Sequence, residues 1–430
     1  MDTKAREPQI DEARLWADLM ALAEITEPDR PYTRRSFSQK FVEGRAWLAG
    51  RYRDAGLSVR IDTAGNLIGR LPGSKVDADD IMLGSHSDSV PNGGRFDGIA
   101  GVLVGLEIAR ALAEAGTPLA HALEVVDFLA EEPSEFGLSC VGSRAMAGAL
   151  DAAQLALTGP GAETLAAAIE RVGGVPGRLA EAQRADVHAF LELHIEQGPV
   201  LEAAGIDVGI VTAIVGITRI EICIKGEAAH AGTAPMAGRR DAGVAAAEVV
   251  LAVRDLARAL NDRGEGYFVA TAGVLEIRPN AANVVPGDAR LVIDARSEKA
   301  ALVQGFLVDF RRRVEAIASA ESVSLSRFEL LSHNDPAACD PALQRVLAQS
   351  AEAMNCSARS MASGAGHDAA FVSRIAPAAM LFVPCLGGRS HCPEEWTEPS
   401  ALAAGARVML EALRRIDRGA LRVHESEKQA

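Results

Sequence analysis

The sequence has few cysteines, few histidines and no excess of basic residues. Its six cysteines are scattered and form no CxxC pair, which argues against a disulfide scaffold and against a thiolate zinc site. Lys and Arg total 44 against 58 Asp and Glu, so the formal net charge is −14. A chain this acidic is a poor candidate for binding nucleic acid, because clustered Lys and Arg hold a phosphate backbone.

Long apolar runs are also missing. Residues 1–16 contain no apolar core of a signal peptide, and no run reaches the length that a bilayer span needs. We therefore expect a soluble cytoplasmic protein that does not bind membranes. The length of 430 residues and the 48% apolar content predict two or three globular domains with a substantial core.

Strands and helices alternate along most of the chain. Short apolar runs at 81–83, 123–129, 187–193 and 378–383 are typical of buried strands, and helical periodicity appears at 99–115 and 401–415. This alternation predicts an α/β layer with a mostly parallel sheet. Segment 159–177 is rich in loop residues, and we expect a surface excursion there.

The middle of the chain has a different pattern. Residues 217–225 alternate apolar and polar side chains, as a half-exposed strand does. Two more strands and two amphipathic helices follow, at 268–275, 289–295, 239–260 and 299–318. The order suits a small α+β sandwich. We therefore predict a larger domain formed by 1–214 and 331–430, with residues 215–330 inserted into it.

Histidines and carboxylates lie at the ends of the predicted α/β strands. They are His86, Asp88, Asp97, Glu131, Glu132, His194 and His391. Ligand sites of parallel sheets lie beyond the carboxyl ends of the strands, so we expect these side chains to converge. Imidazole and carboxylate ligands suit Zn, Mn, Co or Ni rather than Mg or Ca alone.

Two local patterns suggest roles within such a site. Strand alternation would point His86 and Asp88 the same way, so that the carboxylate accepts a hydrogen bond from the non-ligating ring nitrogen. Glu131 and Glu132 would point in different directions, so one can bind metal while the other acts as a general base. Taken singly, these patterns also fit a solvated edge, and His194 fits a core histidine. Their joint placement favours a metal site.

Seven motifs occur in order between about residue 10 and about residue 415. They are GSHSDSVPNGGRFDG (84–98), AEEPSEFGLSCVGSRAMAG (130–148), LELHIEQGPVLE (191–202), KGEAAHAGTAPM (225–236), RPNAANVVPG (278–287), SGAGHDA (363–369) and SHCPEEW (390–396). Together they resemble the amidase/hydantoinase/carbamoylase group of dinuclear metal-dependent hydrolases. That group includes N-carbamoyl-L-amino-acid hydrolases, allantoate amidohydrolases and β-ureidopropionases.

The resemblance implies a fold and a metal centre. The fold is a peptidase-like α/β catalytic domain with a mixed, mainly parallel sheet, plus an inserted α+β lid and dimerisation domain. The centre would hold two divalent metal ions, Zn, Mn, Co or Ni, with Asp97 bridging them and Glu131 as the general base. The implied metal ligands are His86, Asp97, Glu132, His194 and His391.

The resemblance also implies substrate contacts and a homodimer through the inserted domain. The contacts are Gln197, His230, Asn283, Arg296, Gly366 and His367. His230 would also act in catalysis, as a hydrogen-bond donor that reaches the active site of the neighbouring subunit. By pattern alone, His230 and Asn283 are also typical of loops, and Arg296 of a solvated strand end. Pro133 and Cys392 depart from the family pattern, but neither removes a ligand.

The expected activity is hydrolysis of a linear amide or ureido C–N bond in a small substrate that carries a carboxylate. An N-carbamoyl-L-amino acid, giving the L-amino acid, CO2 and ammonia, is the leading substrate. Allantoate and 3-ureidopropionate are alternatives, and an N-acyl-amino-acid deacylase or peptidase is a weaker one. A non-catalytic scaffold protein on this fold would lack a ligand or the base, whereas this sequence has them all.

Overall fold

The computed structural model describes residues 6–421, which form two compact units. The first unit comprises the chain up to residue 212 together with 338–361 and the part that begins at 367. The second comprises 213–337 and 362–366. The predicted insertion, 215–330, lies within the second unit, but it ended inside a strand and did not include the returning segment 362–366.

The helices are α1 (Glu12–Ala23), α2 (Gln39–Asp54), α3 (Ile99–Ala115), α4 (Val141–Met146), α5 (Ala152–Leu155), α6 (Leu165–Arg171), α7 (Val200–Ala204), α8 (Ala242–Asp262), α9 (Ala300–Ala320), α10 (Pro341–Ala353), α11 (Ala369–Val372) and α12 (Pro399–Asp417). The strands are β1 (Ser58–Ile61), β2 (Leu67–Leu71), β3 (Asp80–His86), β4 (Leu123–Phe128), β5 (Val187–Ile195), β6 (Val208–Ile214), β7 (Gly216–Lys225), β8 (Ala229–His230), β9 (Phe268–Arg278), β10 (Val284–Val285), β11 (Asp288–Ser297), β12 (Ser324–His333), β13 (Ala337–Ala338), β14 (Ala358–Ser363) and β15 (Ala378–Val383).

The large sheet has the order β1-β2-β4-β3-β5-β15-β6-β13, with β14 beside β6. Its centre, β4-β3-β5-β15, is parallel, while β2 and β6 flank it antiparallel. The expectation of a mixed, mainly parallel sheet is confirmed. The central strands are buried along almost their whole length, which explains their continuous apolar runs.

Helix α3 packs on the parallel centre of this sheet and is buried along most of its length. It begins after Gly98 and ends at Gly116, which takes the left-handed conformation that favours glycine at a helix end. Its buried Glu107 is not isolated, because Arg14 donates to both of its carboxylate oxygens at 2.8 Å. This fixed helix places Asp97, the residue before Gly98, at the carboxyl edge of the sheet.

The second unit contains a four-stranded antiparallel sheet of order β12-β7-β11-β9. Helices α8 and α9 pack against it, with Phe306 and Phe310 in the core beside alternating residues of β7 such as Ile220 and Ile222. Sequence analysis predicted three of the four strands and missed β12. This edge strand is mostly exposed on both faces, so it lacks the alternation that reveals a half-buried strand.

The prediction of a surface excursion at 159–177 is wrong in part. The segment contains α6, whose Leu165 and Ile169 are fully buried against Leu129 and Phe37. The glycines and prolines around this short helix concealed its apolar face. Among residues 6–421, no helix is both long enough and apolar enough to cross a membrane.

Candidate metal centre

The carboxyl edge of the large sheet brings the predicted ligands together. His86 ends β3, Glu132 follows β4, and His194 is the penultimate residue of β5. Asp97 precedes α3, and His391 lies in the loop after β15. All except the half-exposed His391 are buried. The expected convergence is therefore observed, and its cause is the parallel direction of β4, β3, β5 and β15.

Asp97 lies between two groups of nitrogen and oxygen atoms. Its Oδ1 is 3.1 Å from His194 Nε2 and 3.9 Å from His86 Nε2. Its Oδ2 is 2.9 Å from His391 Nε2, which is 3.3 Å from Glu132 Oε1. The two groups, His86-Asp97-His194 and Asp97-Glu132-His391, each have ligand atoms within 4.8 Å of one another. A single carboxylate thus belongs to both.

The ring nitrogens of the two buried histidines are already oriented. His86 Nδ1 donates to the backbone oxygen of Asp88 at 3.1 Å, and His194 Nδ1 donates to that of Ile195 at 2.9 Å. A carbonyl can only accept, so Nδ1 of each ring carries a proton, and Nε2, which lies on the Asp97 side, is the nitrogen that remains for an ion. This donor set fits Zn, Mn, Co or Ni, which neutral imidazole and carboxylate bind together.

Asp88 lies beside His86 and also contacts a second segment. Its carboxylate Oδ1 is 3.4 Å from His86 Nδ1, slightly farther than its backbone oxygen at 3.1 Å. The carboxylate also accepts the backbone N–H groups of Glu131 and Glu132, at 3.3 and 3.2 Å. Asp88 therefore fixes the backbone that carries these two glutamates.

Glu131 is buried beside the first ligand group. Its Oε2 is 3.6 Å from His86 Nε2, and Cys140 donates its thiol hydrogen to Oε1 at 3.4 Å. Burial raises the pKa of Glu131 well above its usual range, and the carboxylates of Glu132 and Asp368 add to the shift against the opposing charge of His86. A carboxylate with a raised pKa suits both taking up and returning a proton. The contact of Cys140 is not predictable from the sequence, since nothing near this residue along the chain marks a thiol that faces a carboxylate.

The pKa shifts of Asp97 and His391 indicate a site that stabilises positive charge. Burial alone would raise the pKa of Asp97, but hydrogen bonds from His194 and His391 hold it well below its usual range. Hydrogen bonds to Asp97 and Glu132 raise the pKa of His391 to about 11. Buried carboxylates need such compensation, and bound cations supply it in metalloproteins.

Two further predicted residues contact the ligands. Gln197 donates from Nε2 to Asp97 Oδ2 at 3.0 Å, and its buried Oε1 has no hydrogen-bond partner among the described residues. His367 lies edge-on against His194, with ring centroids 4.5 Å apart. Burial, with the nearby charge of His194, lowers the pKa of His367 well below its usual range.

The other predicted residues belong to the second unit. His230 lies in β8, which pairs with β10 next to Asn283. Its Nδ1 accepts the backbone N–H groups of Gly232 and Thr233 at 3.1 and 3.2 Å, so the proton resides on Nε2. This ring is exposed, and its remaining nitrogen is a donor.

Arg296 is held on β11 of the same unit. It donates from Nε to Asp294 Oδ1 at 2.7 Å and from Nη1 to the backbone oxygen of Gly364 at 3.0 Å. Gly366, two residues further on, is exposed. The Nε edge of the guanidinium is therefore occupied by Asp294, and an added carboxylate would have to meet the Nη edge.

The family model described as peptidase family M20/M25/M40 matches residues 82–415, which include the whole metal centre. The chain belongs to this family. An N-carbamoyl-L-amino acid amidohydrolase of Geobacillus stearothermophilus is 38% identical to it, over 94% of this chain and 98% of that protein. A ureidoglycolate hydrolase of Oryza sativa subsp. japonica is 35% identical, over 97% of this chain and 85% of that protein.

A solved structure is similar over the same extent. It is the amidase of the hydantoinase/carbamoylase family from Burkholderia multivorans, with a TM-score of 0.87 and 35% identity, over 95% of this chain and 98% of that chain. The resemblance drawn from the seven motifs is confirmed. M20 enzymes are metal-dependent, and the two ligand groups at Asp97 are candidates for that metal.

A substitution at Gly98 tests whether the position of the His86 ring determines metal affinity. The φ of 68° at Gly98 favours glycine, and a Cβ there would lie 2.3 Å from His86 Nε2. We expect Gly98→Ala to weaken Mn²⁺ binding by about 10- to 100-fold, as displaced metal-site geometry does. Equilibrium dialysis of the apoprotein against Mn²⁺ measures this.

Gly116→Ala is the matched control, because this glycine has a similar φ of 62° at the other end of α3 and its Cβ would meet nothing within 4 Å. Equal Mn²⁺ affinity in both variants would contradict the prediction.

Proposed function

We propose that this M20-family chain hydrolyses the ureido C–N bond of an N-carbamoyl-L-amino acid, giving the L-amino acid, CO2 and ammonia. The observation that carries the proposal is one carboxylate, Asp97, shared by two ligand groups with Glu131 beside them. The similarity to an N-carbamoyl-L-amino acid amidohydrolase over nearly the full length of both chains supports this substrate.

The centre would hold two divalent ions, Zn, Mn, Co or Ni. His86 and His194 would bind one, Glu132 and His391 the other, and Asp97 would bridge them. Such ions polarise a carbonyl oxygen and lower the pKa of water. Asp88 accepts the backbone N–H groups of both Glu131 and Glu132 and so fixes the backbone conformation from which the base and the ligand extend.

Glu131 is the proton carrier of this proposal. Cys140 occupies its Oε1, and its Oε2 faces the imidazole of His86. The carboxylate would take a proton from water as the water oxygen bonds to the ureido carbon. Its raised pKa favours that uptake, and it would then pass the proton to the leaving nitrogen as the C–N bond breaks.

Substrate recognition would use further polar groups. His230, a donor through Nε2, suits an oxygen on which negative charge develops. The Nη edge of Arg296 suits the substrate carboxylate, and Asn283 suits its amide groups. Gln197, Gly366 and His367 complete the proposed contacts. We further propose a homodimer formed through the second unit and a cytoplasmic location, which six free cysteines suit.

Ureidoglycolate is the second candidate substrate, because the rice ureidoglycolate hydrolase is nearly as similar to this chain. It shares the ureido group and the carboxylate with N-carbamoyl amino acids. Allantoate and 3-ureidopropionate share both features too. The same metal ligands and Arg296 would therefore serve each of them, and the side-chain pocket selects among them.

A substrate panel tests the proposal. We expect the Mn²⁺-loaded protein to release ammonia from N-carbamoyl-L-amino acids faster than from the D-enantiomers, allantoate, ureidoglycolate or 3-ureidopropionate. Activity should disappear after chelation and return with Mn, Co, Ni or Zn. Amine release from N-acetyl-amino acids and dipeptides is measured in parallel. Turnover of those compounds alone, or turnover that survives chelation, would overturn the proposal.

Glu131→Gln separates the base from the ligands. We expect kcat to fall by about 10²- to 10⁴-fold, the usual contribution of a general base. Bound metal should stay unchanged, because Glu132 is the proposed ligand. Steady-state kinetics and metal analysis of the same sample measure both. The exposed Glu135→Gln is the control, and wild-type turnover in Glu131→Gln would remove this residue as the base.

Arg296→Ala tests recognition of the substrate carboxylate. We expect KM to rise about 10- to 100-fold with a smaller change in kcat, since a hydrogen bond between charged groups contributes about 1.5–3 kcal/mol. Arg290→Ala is the control, because Arg290 lies on the same strand and pairs with Glu221 at 2.7 Å. A KM that is unchanged in Arg296→Ala, or raised equally in both variants, would reject the role.

A further inference from the structure

Glu395 is a fully buried carboxylate that none of the proposed catalytic steps uses. It lies four residues after His391, and its side chain reaches the loop that carries Asp97. Its Oε1 accepts the backbone N–H groups of Phe96 at 2.8 Å and of Asp97 at 3.1 Å. One side chain thus joins the two loops that supply Asp97 and His391.

Ser390 extends this connection to the carboxylate of Asp97. Its Oγ lies 2.9 Å from Glu395 Oε2 and 3.1 Å from Asp97 Oδ2, the oxygen that faces His391. Gln197 Nε2 lies 3.2 Å from the same Oγ and 3.0 Å from the same Oδ2. Since Gln197 donates to the hydroxyl, the hydroxyl hydrogen remains available for a carboxylate.

The carboxyl group of Glu395 is closely packed against Gly94. A Cβ at Gly94 would lie 1.9 Å from the carboxyl carbon, so only glycine leaves room there. The next side chain, Trp396, packs edge-on against Trp16 and Phe96, with ring centroids 5.1 and 5.7 Å apart. Gly94 therefore leaves room for the carboxylate beside the Asp97 backbone, and the ring packing fixes the residue that follows it.

We infer that Glu395 is a positioning residue of the metal centre, which sets the separation of the two ligand groups by joining the Asp97 loop to the His391 loop. The inference rests on the proposed roles of Asp97 and His391 as ligands. It acts through Phe96 N, Asp97 N and Ser390 Oγ, and Glu395 itself binds no ion. Groups that orient metal ligands in this way commonly change metal affinity by about 10- to 100-fold when removed.

Calorimetric titration of the apoprotein with Mn²⁺ tests this role. We expect Glu395→Ala to raise the Kd for Mn²⁺ by about 10- to 100-fold. Glu395→Gln should stay close to wild type, because its amide oxygen can accept the same two N–H groups while its amide nitrogen faces Ser390 Oγ. The matched control is Glu394→Ala, since Glu394 is exposed and adjacent.

Thermal unfolding of the apoproteins separates positioning from simple stability. A role in stability alone would lower the Tm of Glu395→Ala and leave the Kd of the folded protein unchanged, and that result would overturn the inference. If Glu395→Ala does not fold, Ser390→Ala decides: a raised Kd supports the inference and a wild-type Kd overturns it. If the wild-type protein itself binds no Mn²⁺, the proposed metal centre fails, and the inference fails with it.

Discussion

Burial of several carboxylates at one edge of a sheet is the constraint on which the rest of this structure depends. Asp88, Asp97, Glu131 and Glu132 are all buried, and such groups are costly unless each has partners or a cation nearby. Two kinds of partner stabilise these carboxylates. Backbone N–H groups donate to Asp88, whereas three imidazoles lie near Asp97 and that of His391 lies near Glu132. The second arrangement is the one that a divalent ion can occupy.

The parallel centre of the sheet makes this concentration possible. Four adjacent strands end at the same edge, so residues far apart in sequence meet over a few ångströms. The strands themselves are apolar and buried on both faces, and α3 packs rigidly against them. The candidate metal ligands therefore lie at or near the ends of stiff elements. Glycine at 98 and at 94 then provides the clearance that His86 and Glu395 require.

Hydrogen bonds to the backbone orient most of the groups to which we assign chemistry. His86 and His194 donate from Nδ1 to carbonyl oxygens and leave Nε2 for an ion. His230, in the second unit, accepts backbone N–H groups and keeps Nε2 as a donor. Histidine rings thus differ in what Nε2 can do, because the backbone partner of Nδ1 is a carbonyl oxygen in one case and N–H groups in the other. Two of these rings suit a metal ligand, and the third suits stabilisation of an oxyanion.

The sequence by itself determined the α/β class and the seven motifs that indicate the family, and it predicted the inserted α+β region and the candidate ligand residues. These features depend on local periodicity and on the order of residue types along the chain. Only the tertiary structure decided that Asp88 serves the backbone of Glu131 and Glu132, that α6 is part of a core, and that β12 completes the second sheet. It also decided that Glu395, and not Glu394 beside it, joins two ligand loops. The reason is physical: burial and long-range hydrogen bonds depend on which segments meet in space. Two adjacent residues of the same type look alike in the sequence, so the sequence does not show which of them is buried.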